Sequence, residues 1–133
     1  MGAVLVTGGA GYIGSHVTKA LRIAGRDVVV LDSLAVGHRE AVCGAPLVEA
    51  DIADTETVRQ TIRQFGVTSV MHLAALLSVG ESVLYPNRYY ANNVTKTIAL
   101  FEALVSESVE YLIFSSTAAV YGESQEIPIT EDH

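Results

Sequence analysis

Four glycines, Gly8, Gly9, Gly11 and Gly14, mark the place where this sequence could do chemistry. They close an apolar run, Val4-Leu5-Val6, and open an amphipathic segment that begins at Tyr12. Both Gly8-x-x-Gly11-x-x-Gly14 and Gly9-x-Gly11-x-x-Gly14 are satisfied. A strand, a tight turn and a helix start in that order can receive a pyrophosphate. Gly8 lets the chain reverse at the strand end, Gly11 keeps side-chain bulk off the phosphates, and Gly14 lets the helix approach the strand. The N–H groups of the first helical turn, with the helix dipole behind them, then face the negative charge. A plain glycine-rich turn is the alternative. The Gly9-x-x-x-x-Gly14 spacing also fits a mononucleotide phosphate loop. There, however, Ser15-His16 stand where Lys and Ser or Thr are needed to hold phosphate and magnesium.

Asp32 ends the next apolar run, eighteen positions past Gly14. A carboxylate at that place accepts hydrogen bonds from ribose hydroxyls and repels a 2′-phosphate, which favours NAD over NADP. A solvated strand-end Asp is the alternative. Asp51-Ile52 follows a third apolar segment and could flank an adenine, or Asp51 could cap a helix. Ser115-Ser116-Thr117 places up to three hydroxyls where they could orient a substrate alcohol or carbonyl, although on spacing alone an ST-turn accounts for them better. His72 stands alone in an apolar strand and reads as a satisfied core residue. His16, His38 and His133 show no metal-ligand spacing with it, so no metal site is expected. A Gly-x-Ser-x-Gly elbow is missing from the sequence, which leaves a serine hydrolase without support.

The 133 residues suffice for one domain with a substantial core, half of them hydrophobic. Eight basic against fifteen acidic residues give a net charge of -7 with no Lys/Arg cluster, which argues against nucleic acid and anionic membranes as partners. A phosphate-bearing small ligand stays compatible, because backbone N–H groups can supply a local positive field. The single cysteine, Cys43, allows no disulfide framework. With no run long enough to span a bilayer and a strand-like start in place of a signal peptide, a cytoplasmic location is expected.

The elements that must position these residues alternate between strand and helix. Strands are expected at Ala3–Thr7, Asp27–Asp32, Leu47–Ala50, Thr68–Leu73 and Glu110–Ser115. A helix from about Tyr12 to Ala24 should bury Ile13, Val17, Leu21 and Ala24, and one capped by Asp54 or Thr55 should bury Val58, Ile62 and Phe65. The segment Ser33–Pro46 reads as loop with a helical turn, and Ala74–Leu84 as a broken helix or loop. A long helix after Pro86 carries an apolar stripe of Tyr90, Val94, Ile98, Phe101 and Val105, and Ser116–His133 reads as loop. This alternation predicts an α/β fold, a Rossmann-type doubly wound parallel sheet of about five strands. Ligands of such sheets bind beyond the strand C-terminal ends, so Gly8–Gly14, Ala74–Ser82 and Ser115–Tyr121 should meet.

The motifs Thr7-Gly-Gly-Ala-Gly-Tyr-Ile-Gly-Ser-His16, Leu31-Asp-Ser-Leu34, Ala50-Asp-Ile52 and His72-Leu-Ala-Ala75 recur together in a known group of enzymes. So do Val79-Gly-Glu-Ser82, Tyr89-Tyr-Ala-Asn-Asn-Val94 and Phe114-Ser-Ser-Thr-Ala-Ala-Val-Tyr-Gly122. In these the chain resembles the N-terminal, NAD-binding part of the UDP-sugar 4-epimerases, extended short-chain dehydrogenase/reductases. The resemblance covers essentially the whole sequence. It implies that Gly8, Gly11, Tyr12, Ile13 and Gly14 surround the pyrophosphate, Asp32 binds ribose and Asp51-Ile52 holds adenine. Ala74 and Ala75 would line the cofactor channel with Asn92 near it, and Ser115 and Ser116 would lie beside the nicotinamide. Thr117 would be the catalytic hydroxyl on the sugar's 4-OH. The implied reaction inverts C4 of a UDP-hexose through a 4-keto sugar, with NAD taking and returning the hydride. A homodimer through the Tyr85–Val105 helix, or association with a C-terminal substrate domain absent from these residues, is implied as well.

The sequence departs from that family pattern in three side chains. Leu77 stands where a Lys is common, Lys96 where a Gly is common, and Ala119 where a Thr is common. The family base is a Tyr in Tyr-x-x-x-Lys, and none of the six tyrosines here has a Lys four residues on. The chain alone is therefore expected to be inactive. A related nucleotide-sugar epimerase or dehydratase is one alternative, although Ala118-Ala119 after Thr117 counts against a dehydratase. A non-catalytic NAD-binding module is the other.

Overall fold

Strand β1 (Ala3–Thr7) is buried along its whole length, as is β2 (Val28–Asp32), which pairs with it in parallel. Continuous burial on both faces is what an unbroken apolar run is suited to. The computed structural model describes residues 2–133. Their strands form one five-stranded parallel sheet in the order β3-β2-β1-β4-β5, with β3 Leu47–Glu49, β4 Val67–His72 and β5 Tyr111–Phe114. This is the doubly wound arrangement anticipated from the alternation of elements, with β1 at its centre.

Side-chain alternation divides the core in two. Leu5, Val29, Leu31 and Val70 face α2 (Thr55–Phe65) and α5 (Lys96–Ser106), packing on Val58, Ile62, Leu100 and Leu104. Val4, Val6, Val28 and Val30 face the other way, toward Val17 and Leu21 of α1 (Tyr12–Ile23). The Asp54 side chain caps α2 by accepting the Thr57 N–H at 3.1 Å, and Gly66 ends that helix in the left-handed region. Arg63 fastens α2 to the end of α5, its Nε donating to Glu107 at 2.8 Å.

Two expectations need correction. The buried residues of α1 are Gly14 and Thr18, whereas Ile13 is 56% exposed and Ala24 lies open. The small side chains on that face let the helix sit close, a signal that apolar periodicity does not register. The helix after Pro86 is not uniform. It comprises α4 (Pro86–Tyr90), a π-helical turn at Ala91–Thr95, and α5. Its sheet-facing residues are Thr97, Leu100, Ala103 and Leu104, so Tyr90, Val94, Ile98 and Val105 of the expected stripe point outward, whereas Phe101 packs against the core. At the sheet edge, all four residues of β5 are exposed, so the sheet ends in an apolar strand. Ala74–Leu84 resolves into a loop followed by α3 (Val79–Leu84), and the closing segment holds one short 3-10 turn at Ala118–Tyr121.

Candidate functional site

The C-terminal ends of the strands bring the glycine turn, the loop after β4 and the serine–threonine run side by side. Gly8 donates its N–H to Leu31 O, Leu73 donates to Thr7 O, and Ser115 donates to His72 O, each extending a strand pairing by one residue. Gly8 has φ +72°, and a Cβ there would lie 2.7 Å from the Ala74 backbone nitrogen. Only glycine allows β1 and β4 to approach this closely at that turn. A Cβ on Gly14 would sit 2.0 Å from the Gly8 carbonyl oxygen, so this glycine seats the helix on the turn itself. Gly11 differs, because its Cβ would meet only Gly8 O, at 3.3 Å. The outer side of the turn is therefore open.

Helix α1 begins there without a side-chain cap and without an acidic residue in its first turn. Its leading N–H groups are left for an anion to satisfy. Tyr12 and Ile13 stand exposed beside them.

Asp32 is buried, with 9% of its surface exposed, and uses both carboxylate oxygens. Oδ2 accepts the Ala10 N–H at 3.0 Å and Oδ1 accepts the Leu34 N–H at 2.8 Å. This carboxylate therefore ties the glycine turn to the loop after β2, and it keeps lone pairs that can accept further hydrogen bonds. Asp51, one strand further along, accepts the Ala53 N–H at 2.9 Å and forms an ion pair with Lys96. Burial opposes ionisation of Asp51, but the Lys96 hydrogen bond, the Ala53 N–H and the Lys96 charge outweigh it and hold the carboxyl below its ordinary range. Ile52 beside it is buried.

His72 closes the floor of the crevice. Its Nδ1 lies 2.6 Å from Thr7 Oγ1 and its Nε2 lies 3.1 Å from Thr97 Oγ1. Its ring packs against Phe101 and Phe114. With both nitrogens satisfied by hydroxyls, and with burial pushing its pKa down, it is a neutral core residue, as its lone apolar setting suggests.

Asn92 was anticipated at the cofactor; the structure adds Asn93. Asn93 Oδ1 accepts the Leu76 N–H and Nδ2 donates to Leu76 O, both at 2.9 Å, so the amide pairs with the backbone of the loop after β4. Asn92 Nδ2 in turn donates to Asn93 Oδ1 at 2.9 Å. The π-helical turn presents both amides to that loop. Across the crevice, Ser115, Ser116 and Thr117 are exposed, and Thr117 Oγ1 accepts the Ala119 N–H at 3.2 Å. The ST-turn reading of this run is thus realised, and the Thr117 hydroxyl proton remains available to donate.

Comparison with known proteins agrees with this arrangement. The model of the NAD dependent epimerase/dehydratase family matches residues 4–133. The UDP-glucose 4-epimerase of Lactobacillus helveticus is 51% identical over 97% of this chain and 39% of its own length. A crystal structure of UDP-glucose 4-epimerase from Brucella ovis in complex with NAD superposes with a TM-score of 0.89 at 42% identity, covering 99% of this chain and 41% of that one. The corresponding enzyme from Stenotrophomonas maltophila, with bound NAD and formylated UDP-arabinopyranose, gives a TM-score of 0.88 at 39% identity, covering 98% of this chain and 41% of that one. The chain spans about two-fifths of the length of the curated relatives it matches. With its glycine turn, Asp32 and sheet order in that setting, the chain belongs to the NAD-dependent epimerase/dehydratase family.

Proposed function

We propose that residues 1–133 are the NAD-binding portion of a UDP-hexose 4-epimerase, completed by a substrate domain outside this sequence. The observation that carries this reading is the uncapped start of α1, open at Gly11, beside a carboxylate fixed by two backbone N–H groups. These residues suit NAD. Gly8, Gly11, Tyr12, Ile13 and Gly14 would hold the pyrophosphate, Asp32 the ribose, and Asp51-Ile52 the adenine. Ala74, Ala75 and Asn92 would line the channel, with Ser115 and Ser116 at its nicotinamide end. When bound, NAD supplies a reversible acceptor for the C4 hydrogen of the sugar. Thr117 would orient the sugar's 4-hydroxyl through its free hydroxyl proton, and the buried His72 would keep the floor neutral and dry.

Asp32 would disfavour a 2′-phosphate, so calorimetric titration should show NAD binding more tightly than NADP, with the preference lost in Asp32→Ala. Equal affinity of the unaltered chain for both would overturn the assignment. Because no tyrosine here has a Lys four residues on, the 133 residues alone should not interconvert UDP-galactose and UDP-glucose when supplied with NAD. Robust turnover would refute that part. The NAD-bearing relatives support this reading.

A second copy of the chain is proposed on the outward stripe Tyr90, Val94, Ile98 and Val105, where Ile98, Phe101 and Val105 line an apolar groove of about 410 Å³. Among the described residues no helix is long and apolar enough to cross a membrane. We place this UDP-hexose chemistry in galactose metabolism and in the cytoplasm, a location that cell fractionation tests.

A further inference from the structure

The ion pair between Lys96 and Asp51 joins the start of α5 to the turn after β3, 45 positions apart in sequence. Neither partner is sealed off, since the Lys96 side chain is 33% exposed and that of Asp51 is 41% exposed. Strand β3 lies directly beside β2, with Asp32 opposite Glu49 in the register. A ribose held on Asp32, with its base at Asp51 and buried Ile52 as the NAD reading has it, would lie toward the end of β3. The edge of that base would then meet a carboxylate and an ammonium side by side.

The two groups offer opposite chemistry. An ionised carboxylate only accepts hydrogen bonds, whereas an ammonium has three N–H groups and only donates. Asp51 commits one lone pair to Ala53 N–H and one to Lys96, and Lys96 commits one N–H to Asp51. Each retains hydrogen-bonding capacity and a partly exposed side chain. A 6-amino purine can donate to Asp51, and a 6-oxo purine can accept from Lys96.

We infer that Lys96 is a specificity-determining residue that lets the base end of this crevice accept a 6-oxo purine dinucleotide as well as a 6-amino one. This rests on the reading of the crevice as an NAD site. Without Lys96, the oxygen of a 6-oxo base would face an uncompensated carboxylate, while a 6-amino base would keep its acceptor.

The experiment measures dissociation constants of NAD and nicotinamide hypoxanthine dinucleotide by calorimetry for the unaltered chain, Lys96→Met and Lys96→Arg. The quantity compared is the ratio of the two constants, in which the difference between the bases at N1 is common to all three proteins. In Lys96→Met the ratio should rise in disfavour of hypoxanthine by at least threefold, and by about tenfold when a whole charge-assisted hydrogen bond is lost. Lys96→Arg, which keeps a cationic donor, should hold the original ratio. A rise below threefold in Lys96→Met, with NAD still bound, overturns the role of Lys96 and leaves the NAD site standing. No NAD binding by the unaltered chain overturns the NAD site itself. Far-UV circular dichroism accompanies each titration, and Lys96→Ala replaces Lys96→Met if the latter loses its helical signal.

Discussion

Replacing His72 by Leu should cost far more than its modest change in volume suggests. The imidazole bridges Thr7 Oγ1, at 2.6 Å, and Thr97 Oγ1, at 3.1 Å, and these residues are 0% and 6% exposed. Leucine removes two hydrogen bonds of about 1 kcal/mol each and strands two buried hydroxyls, at about 1–3 kcal/mol apiece. Because those quantities overlap, the net loss should be about 2–5 kcal/mol, a large share of the roughly 5–15 kcal/mol typical of a domain. The companion variant Thr7→Val, His72→Leu, Thr97→Val removes every polar partner together and should recover at least half of that loss. The assay is urea unfolding followed by far-UV circular dichroism at pH 7.5. A second arm uses pH. Burial lowers the His72 pKa in the folded state below its unfolded value of about 6.5, so the unfolded chain binds the proton more readily. Its contribution is complete above about pH 6.5 and is lost as pH falls through the lower folded value, a slope that His72→Leu should abolish. A His72→Leu penalty below about 1 kcal/mol, or a triple variant no more stable than the single one, would refute the account of the bridge.

Gly14→Ala places a Cβ 2.0 Å from Gly8 O and should destabilise by about 1–3 kcal/mol in thermal or urea unfolding. Gly11→Ala, whose nearest neighbour lies at 3.3 Å, should fold normally yet weaken NAD binding in calorimetry, and equal effects on stability would contradict the division of roles. Asn93→Leu should speed hydrogen exchange at the Leu76 amide, which now donates to Asn93 Oδ1 at 2.9 Å, while leaving exchange in β1 unchanged. Ile98→Glu puts a charge into the outward apolar groove and should shift the sedimentation profile toward monomer without changing the circular dichroism spectrum; an unchanged association state would rule this stripe out as the contact between copies.

The sheet was legible because β1 and β2 bury both faces, and a strand of that kind must be apolar at every position. Asp32 was legible for the same reason, standing where the apolar run stops. Helix faces were harder to read. Gly14 and Thr18 pack inward on α1 because they are small, whereas the larger Ile13 lies at the exposed helix start. On α5 two faces carry apolar residues at helical spacing, and periodicity cannot say which one meets the sheet. Packing chose Leu100, Ala103 and Leu104. Asn93 escaped notice because its partner Leu76 is 17 residues away and the contact depends on a π-helical turn that has no sequence signature. Lys96 stands out in the sequence only as a departure from a common Gly, and its partner Asp51, 45 positions away, is supplied by the topology.

The central position of β1 also imposes an order of events on synthesis. One edge of β1 pairs with β2, but the other is filled by β4, beginning with Ala3 against Val67. At a translation rate of about 5–20 residues per second, that separation of 64 positions takes roughly 3–13 s to cover. For that interval the largely apolar strand β1 has an unpaired edge, and local contacts cannot supply its partner. The same non-local pairing that builds a crevice between strand ends therefore leaves one edge of the central strand unpaired until β4 emerges.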